Sequence, residues 1–179
     1  MTTTHLFTGI NKTADKVRVG DIGFARTTGA LGFLIRVGEK LKWRDGKYNH
    51  VFVVTKEGSN WDEVEIIQAT LRGVIRSKMK DLIKKSSVIS IFTPPEGCDP
   101  KKVAEFVEKQ LGDSYGLGSI FCISLDILTP EWFISFRRNG TWVCSAVSAE
   151  ALRYGGWFQG WPDIYGVTPT TLFLAHKWS

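Results

Sequence analysis

Between residues 48 and 92 the chain is a succession of short runs rich in β-branched and aromatic residues, each closed by turn formers. No other feature restricts the fold as much. Tyr48, Asn49, His50, Val51, Phe52, Val53, Val54 and Thr55 form one run, and residues 64–70 form a second. Gly58, Ser59 and Asn60 lie between them, so the two read as a hairpin. Residues 73–76 and 87–92 read as further strands, the last closed by Pro94 and Pro95, because proline cannot serve inside a sheet. Upstream, Gly20 and Asp21 supply turn chemistry ahead of a strand that reaches Ala25.

Helical spacing surrounds this block. Leu31, Leu34, Ile35, Val37, Gly38 and Leu41 recur at helical intervals behind Thr27 and Thr28 as capping residues. Val103, Phe106, Val107 and Leu111 do the same behind Asp99 and Pro100, with Gly112 as the stop. Val143, Val147, Ala151 and Tyr154 predict a third helix from Trp142, ended by Gly155 and Gly156. The segment after Val167 reads as a loop and a short strand or turn, and residues 115–138 are apolar without a clean period. The expected class is α+β, an antiparallel sheet packed against helices.

Composition narrows the function classes. A chain of 179 residues without low-complexity or linker-like stretches is read as one domain over 1–179, with 121–138 as a candidate insertion or lid. The net charge is +5, but Lys and Arg are dispersed rather than interleaved with aromatics, which argues against nucleic acid as a partner. The first residues lack a secretory signal, and the longest apolar stretches, 29–37 and 120–129, are shorter than the about 20 residues that span a bilayer. The expectation is a protein with no integral membrane segment, cytoplasmic at synthesis. Cys98, Cys122 and Cys144 are odd in number and widely spaced, so neither a disulfide framework nor a zinc site is expected, nor any other cofactor.

At least one thiol then needs an explanation. Cys144 falls in the first turn of its predicted helix, where backbone N–H groups and the positive end of the helix dipole favour thiolate and can hold an oxyanion. A small buried cysteine packing the helix is the plainer alternative. His50 opens a strand in which Phe52 and Val54 share its face. A turn centred on Ser59 would set His50 directly opposite Gln68, whose carbonyl could accept from Nδ1 and leave Nε2 aimed at a nucleophile. Ordinary strand residues remain the alternative for both, and a one-residue slip would separate them.

Taken together, residues 20–24, 48–54 and 66–70, then Gly73 and Val74, and finally Cys144, Ser145, Ala146 and Val147 resemble the permuted branch of the NlpC-type papain-like cysteine hydrolases. The resemblance covers most of the chain through motifs that are individually short; their order and spacing carry it. It implies a circularly permuted papain-like fold with the nucleophile helix C-terminal. It also implies Cys144 as nucleophile, His50 as general base and Gln68 as the group orienting the imidazole, where many permuted members carry an acid. Gly112, Asp113, Ser114 and Tyr115 are similar to the family's Gly-x-x-Tyr segment, and residues 167–172 to its closing segment. Tyr115, with Trp142 and Tyr48 beside the two reactive residues, forms the expected substrate-contacting set.

The implied reaction is acyl transfer on an amide, most simply a peptide of peptidoglycan type, reached by lysis or from a phage particle. A thioesterase or acyltransferase acting on acyl groups is the alternative within the same chemistry. A binding or virion-structural module that has lost the chemistry is the alternative outside it, since Trp132, Trp142, Trp157 and Trp161 would also suit a protein partner.

Overall fold

The computed structural model of the chain describes residues 9–28, 47–115, 141–157, 160, 164 and 167–177. Five strands, β1 (Ile22–Thr27), β2 (His50–Lys56), β3 (Glu65–Thr70), β4 (Gly73–Lys78) and β5 (Ser86–Phe92), form one antiparallel sheet in the order β4-β3-β2-β1-β5. A short helix, α1 (Met79–Ile83), joins β4 to β5, and α2 (Pro100–Lys109) follows. Two-residue strands β6 (Ser114–Tyr115) and β7 (Thr141–Trp142) pair in parallel ahead of α3 (Cys144–Tyr154) and α4 (Pro169–Lys177).

Both faces of the sheet are covered, which explains why its strands read as apolar runs with little alternation. One face buries Ile22, Phe24, Val51, Val53, Ile67, Ala69 and Val74 against Val103 and Val107 of α2, Val147, Ala151 and Leu152 of α3, and Leu172 of α4. The other buries Ala25, Phe52, Val54, Ile66, Ile89 and Ile91 against Ala14, Val17, and Met79 and Leu82 of α1. Gly23 belongs to this second face, where a Cβ would lie 1.9 Å from the Phe52 ring. Phe52 therefore occupies the space that Gly23 leaves.

Local chemistry sets the element ends. Asp99 caps α2, its Oδ1 accepting from Lys101 N at 2.9 Å, with Pro100 at the helix start. Gly20 turns the chain into β1 at φ +89° and lets Pro100 approach so closely that any Cβ there would sit 2.3 Å from its carbonyl oxygen. The N-terminal segment is tied along β5: Asn11 Nδ2 donates to Ile91 O at 2.9 Å and Asn11 Oδ1 accepts from Ile91 N at 2.7 Å.

Two expectations need correction, and one helix adds to them. The β2–β3 register pairs Val53 with Ile67 and Val54 with Ile66, two residues away from a turn centred on Ser59, because Glu63 accepts from Ser59 N and Asn60 Nδ2 and gathers residues 59–63 into a wider loop. The segment after Val167 is a helix: Thr168 Oγ1 accepts from Thr171 N at 3.1 Å behind Pro169, and this cap outweighs the strand propensity of Thr171 and Phe173. α1 was not expected at all. The predicted helix near residues 31–41 and the insertion over 121–138 lie outside the described residues. Among the described residues no helix is long and apolar enough to cross a membrane.

Candidate active site

Cys144 is the first residue of α3, behind Val143 in an extended conformation (φ −102°, ψ 155°). The first helical bond runs from Val147 N to Val143 O at 3.1 Å, so the N–H groups of residues 144–146 have no acceptor within the helix. The helix start is held from two sides. Ser145 Oγ donates to Val167 O at 2.5 Å, and Ser148 Oγ donates to Cys144 O at 2.9 Å. Cys144 itself is 5% exposed.

His50 opens β2 and is half-buried. Asn49, immediately before it, is buried and clamps the strand start. Its Oδ1 accepts from Thr27 N at 2.8 Å and its Nδ2 donates to Thr27 O at 3.0 Å. Nothing in the apolar spacing singled Asn49 out, although a buried amide at a strand entrance has this use. With the strand start fixed, His50 Nε2 and Gln68 Oε1 lie 2.6 Å apart. Gln68 Nε2 donates onward to Ser77 Oγ at 3.0 Å. Given the observed register, His50 and Gln68 are diagonal neighbours on one face rather than direct partners.

The hydrogen bond corrects the expected nitrogen assignment. An amide oxygen only accepts, so Nε2 carries the proton and the neutral ring keeps its lone pair on Nδ1, not on Nε2. Burial pushes the His50 pKa below its ordinary value, and the bond to Gln68 partly opposes that shift. The ring is therefore neutral near pH 7 and can accept a proton at Nδ1.

Topology brings Cys144 to the same end of the sheet. At the other end of α3, Gly155 O accepts from Asp99 N, and Pro100 packs on Gly20, whose N–H donates to Val54 O near the end of β2. α3 thus runs from the His50 end of β2 toward the Val54 end. β7, just ahead of Cys144, pairs with β6, and Asp113 O beside β6 accepts from Val74 N next to the β3–β4 turn. The faces differ, however. Ala25 pairs with His50 and belongs to the Phe52 face, whereas Cys144 belongs to the cluster of Val51 and Val53. His50 can approach the thiol only at the rim, where it is the strand's first residue.

The expected substrate contacts divide. Tyr115 and Trp142 are register partners in the β6–β7 pair, two chain segments joined close to Cys144. Tyr48 is instead a core residue, 1% exposed, with its hydroxyl 2.7 Å from Ser90 Oγ and its ring 4.8 Å from that of Phe173. A side chain enclosed by Phe24 and Phe173 has no surface left for substrate. Trp157, read as part of a partner surface, is 8% exposed and also packs the core. Trp132, Trp161 and Cys122 lie outside the described residues. Cys98 is half-buried beside α3, its Sγ 3.7 Å from Leu152 O, and burial raises its pKa, which leaves it a poor nucleophile.

Compared with known proteins, the chain matches no family model and no curated protein sequence.

Proposed function

We propose that this chain is a cysteine hydrolase of circularly permuted papain-like type, with Cys144 as nucleophile, His50 as general base and Gln68 as the residue that orients it. One observation carries the reading. A histidine hydrogen-bonded at 2.6 Å through Nε2, and hence basic at Nδ1, stands at the same end of the sheet as a helix that begins with a cysteine. The order of motifs along the chain supports it independently.

In this mechanism Nδ1 of His50 takes the thiol proton and the Cys144 sulfur attacks the substrate carbonyl carbon. N–H groups of the first turn of α3 hold the oxyanion. The imidazolium returns its proton to the leaving amine or alkoxide as the carbon–heteroatom bond breaks, leaving a thioester. Water, deprotonated by the same nitrogen, releases the acid and restores the thiol. The proposed substrate is an amide of peptidoglycan-peptide type, with acyl esters as the alternative. Phage association or release by lysis would bring the protein to a cell wall.

A second reading, a binding module of the same fold without chemistry, is favoured by the alternation that places His50 and Cys144 on different faces and by the 5% exposure of the thiol. Hydrolysis of p-nitrophenyl acetate separates the two. The hydrolase reading expects turnover that Cys144→Ala and His50→Ala both remove. The binding-module reading expects wild type and both variants to match the uncatalysed rate.

A further inference from the structure

We infer that Ser77 is a positioning residue for His50, acting through the Gln68 carboxamide; the inference rests on the reading of His50 as general base. Gln68 is 8% exposed, so its N–H needs a partner inside the protein, and Ser77 Oγ at 3.0 Å supplies one. Ser77 sits on the edge strand opposite Ile66, on the face that carries Gln68 and His50. It is half-buried, so its own hydroxyl proton can go to solvent while the oxygen accepts from Gln68.

The orientation of this amide decides what His50 can do. With Nε2 of Gln68 donating to Ser77, Oε1 faces the imidazole and keeps the ring proton on Nε2. Turned over, the amide would present N–H to the ring, which could then only accept at Nε2, and the proton would move to Nδ1. The nitrogen that has to take the thiol proton would then be a donor, and the base would be lost. Donation from Gln68 to Ser77 also polarises the amide, strengthening Oε1 as the acceptor for an imidazolium. The ring's face also carries Ala25 on β1, Phe52 on β2, Thr70 on β3 and Ile75 beside Ser77 on β4, none of them titratable. The Thr70 hydroxyl is engaged in the β3–β4 turn, donating to Gly73 O at 3.3 Å and accepting from Arg72 N at 3.2 Å. Gln68 and Ser77 are thus the polar groups positioned to set the tautomer from this face.

The test is nitrogen-15 NMR of imidazole-labelled protein, comparing wild type with Ser77→Ala and Ser77→Thr. Wild type should show His50 protonated at Nε2 and bare at Nδ1. Ser77→Ala should give a mixture of tautomers and lower the His50 titration midpoint by about half a unit, the scale of a modest hydrogen bond passed on through the amide. Ser77→Thr, which keeps the oxygen, should restore both. On p-nitrophenyl acetate, Ser77→Ala should lose kcat at unchanged KM. A Ser77→Ala protein with the wild-type tautomer and midpoint overturns the inference while leaving Cys144 and His50 untouched. The tautomer change in a protein that hydrolyses no ester upholds the coupling and removes the catalytic reading beneath it.

Discussion

The two ends of the sheet are built differently. Where β1 begins and β2 finishes, the structure is a lock. Asp21 is 1% exposed, its Oδ2 accepts from Lys12 Nζ at 2.9 Å and Arg18 N at 3.0 Å, and Gly20 closes on Pro100 beside the Asp99 cap. At the other end the polar groups form a chain, Ser77 to Gln68 to His50, that finishes in a ring nitrogen with a lone pair to spare. A buried carboxylate held by a half-buried lysine and a backbone N–H serves shape, whereas a hydrogen-bonded chain that ends on a basic nitrogen, at the same end of the sheet as a helix start, can serve chemistry. The contrast makes separable predictions, because substitutions at the locked end should cost stability and those at the open end should cost function.

The largest effect expected is at the open end. Cys144→Ala should abolish ester turnover, a loss of at least about 1000-fold, with a melting temperature within a few degrees of wild type. An unchanged rate would show that this end is no different in kind from the other. At the locked end, Asp21→Ala should lower unfolding free energy by about 2–3 kcal/mol in urea titrations, since the Arg18 N–H loses its acceptor and Lys12 loses its carboxylate, keeping only Thr93 Oγ1. Its turnover per folded molecule should stay near wild type. A drop in turnover as large as that of His50→Ala would erase the distinction between the ends.

Smaller effects sharpen it. The folded-state pKa of His50 lies below its unfolded value, so as pH falls through about 6.5 the unfolded chain takes up a proton first. The contribution of His50 to stability is complete above that pH and declines below it, until the folded pKa is passed. Urea midpoints measured from pH 7.5 to 5 should therefore fall more steeply for wild type than for His50→Gln, and equal slopes would remove the burial argument. Asp99→Ala should cost about 1 kcal/mol, the usual worth of a helix cap, without touching turnover.

Much of this contrast could be read from the residues. Apolar runs and their turn clusters located all five strands of the sheet, because runs as dense as Val51–Val54 have to be buried. The Asp99 and Pro100 signal marked α2, and the spacing from Val143 to Ala151 marked α3, with Cys144 in its first turn. What escaped depended on competition between local signals. Thr168 and Pro169 started a helix where Thr171 and Phe173 suggested a strand. Glu63 widened the hairpin loop and shifted its register by two residues, an even number, so His50 and Gln68 kept a common face although the turn was misplaced. The nitrogen that bonds Gln68, and Ser77 behind it, follow from how the side chains meet across three strands, which no single run of sequence encodes. Tyr48 shows the same limit from the other side, because adjacency to His50 in sequence gave no hint that Ser90 and Phe173 enclose it.

The most direct test of whether the open end is a catalytic site is the rate at which iodoacetamide alkylates Cys144, followed by peptide mapping from pH 5 to 9, with Cys98 as the internal slow thiol. A Cys144 rate that is already high near neutral pH, and that falls to the Cys98 level in His50→Ala, is the result the account predicts. A Cys144 that reacts no faster than Cys98, and is indifferent to His50, would contradict it.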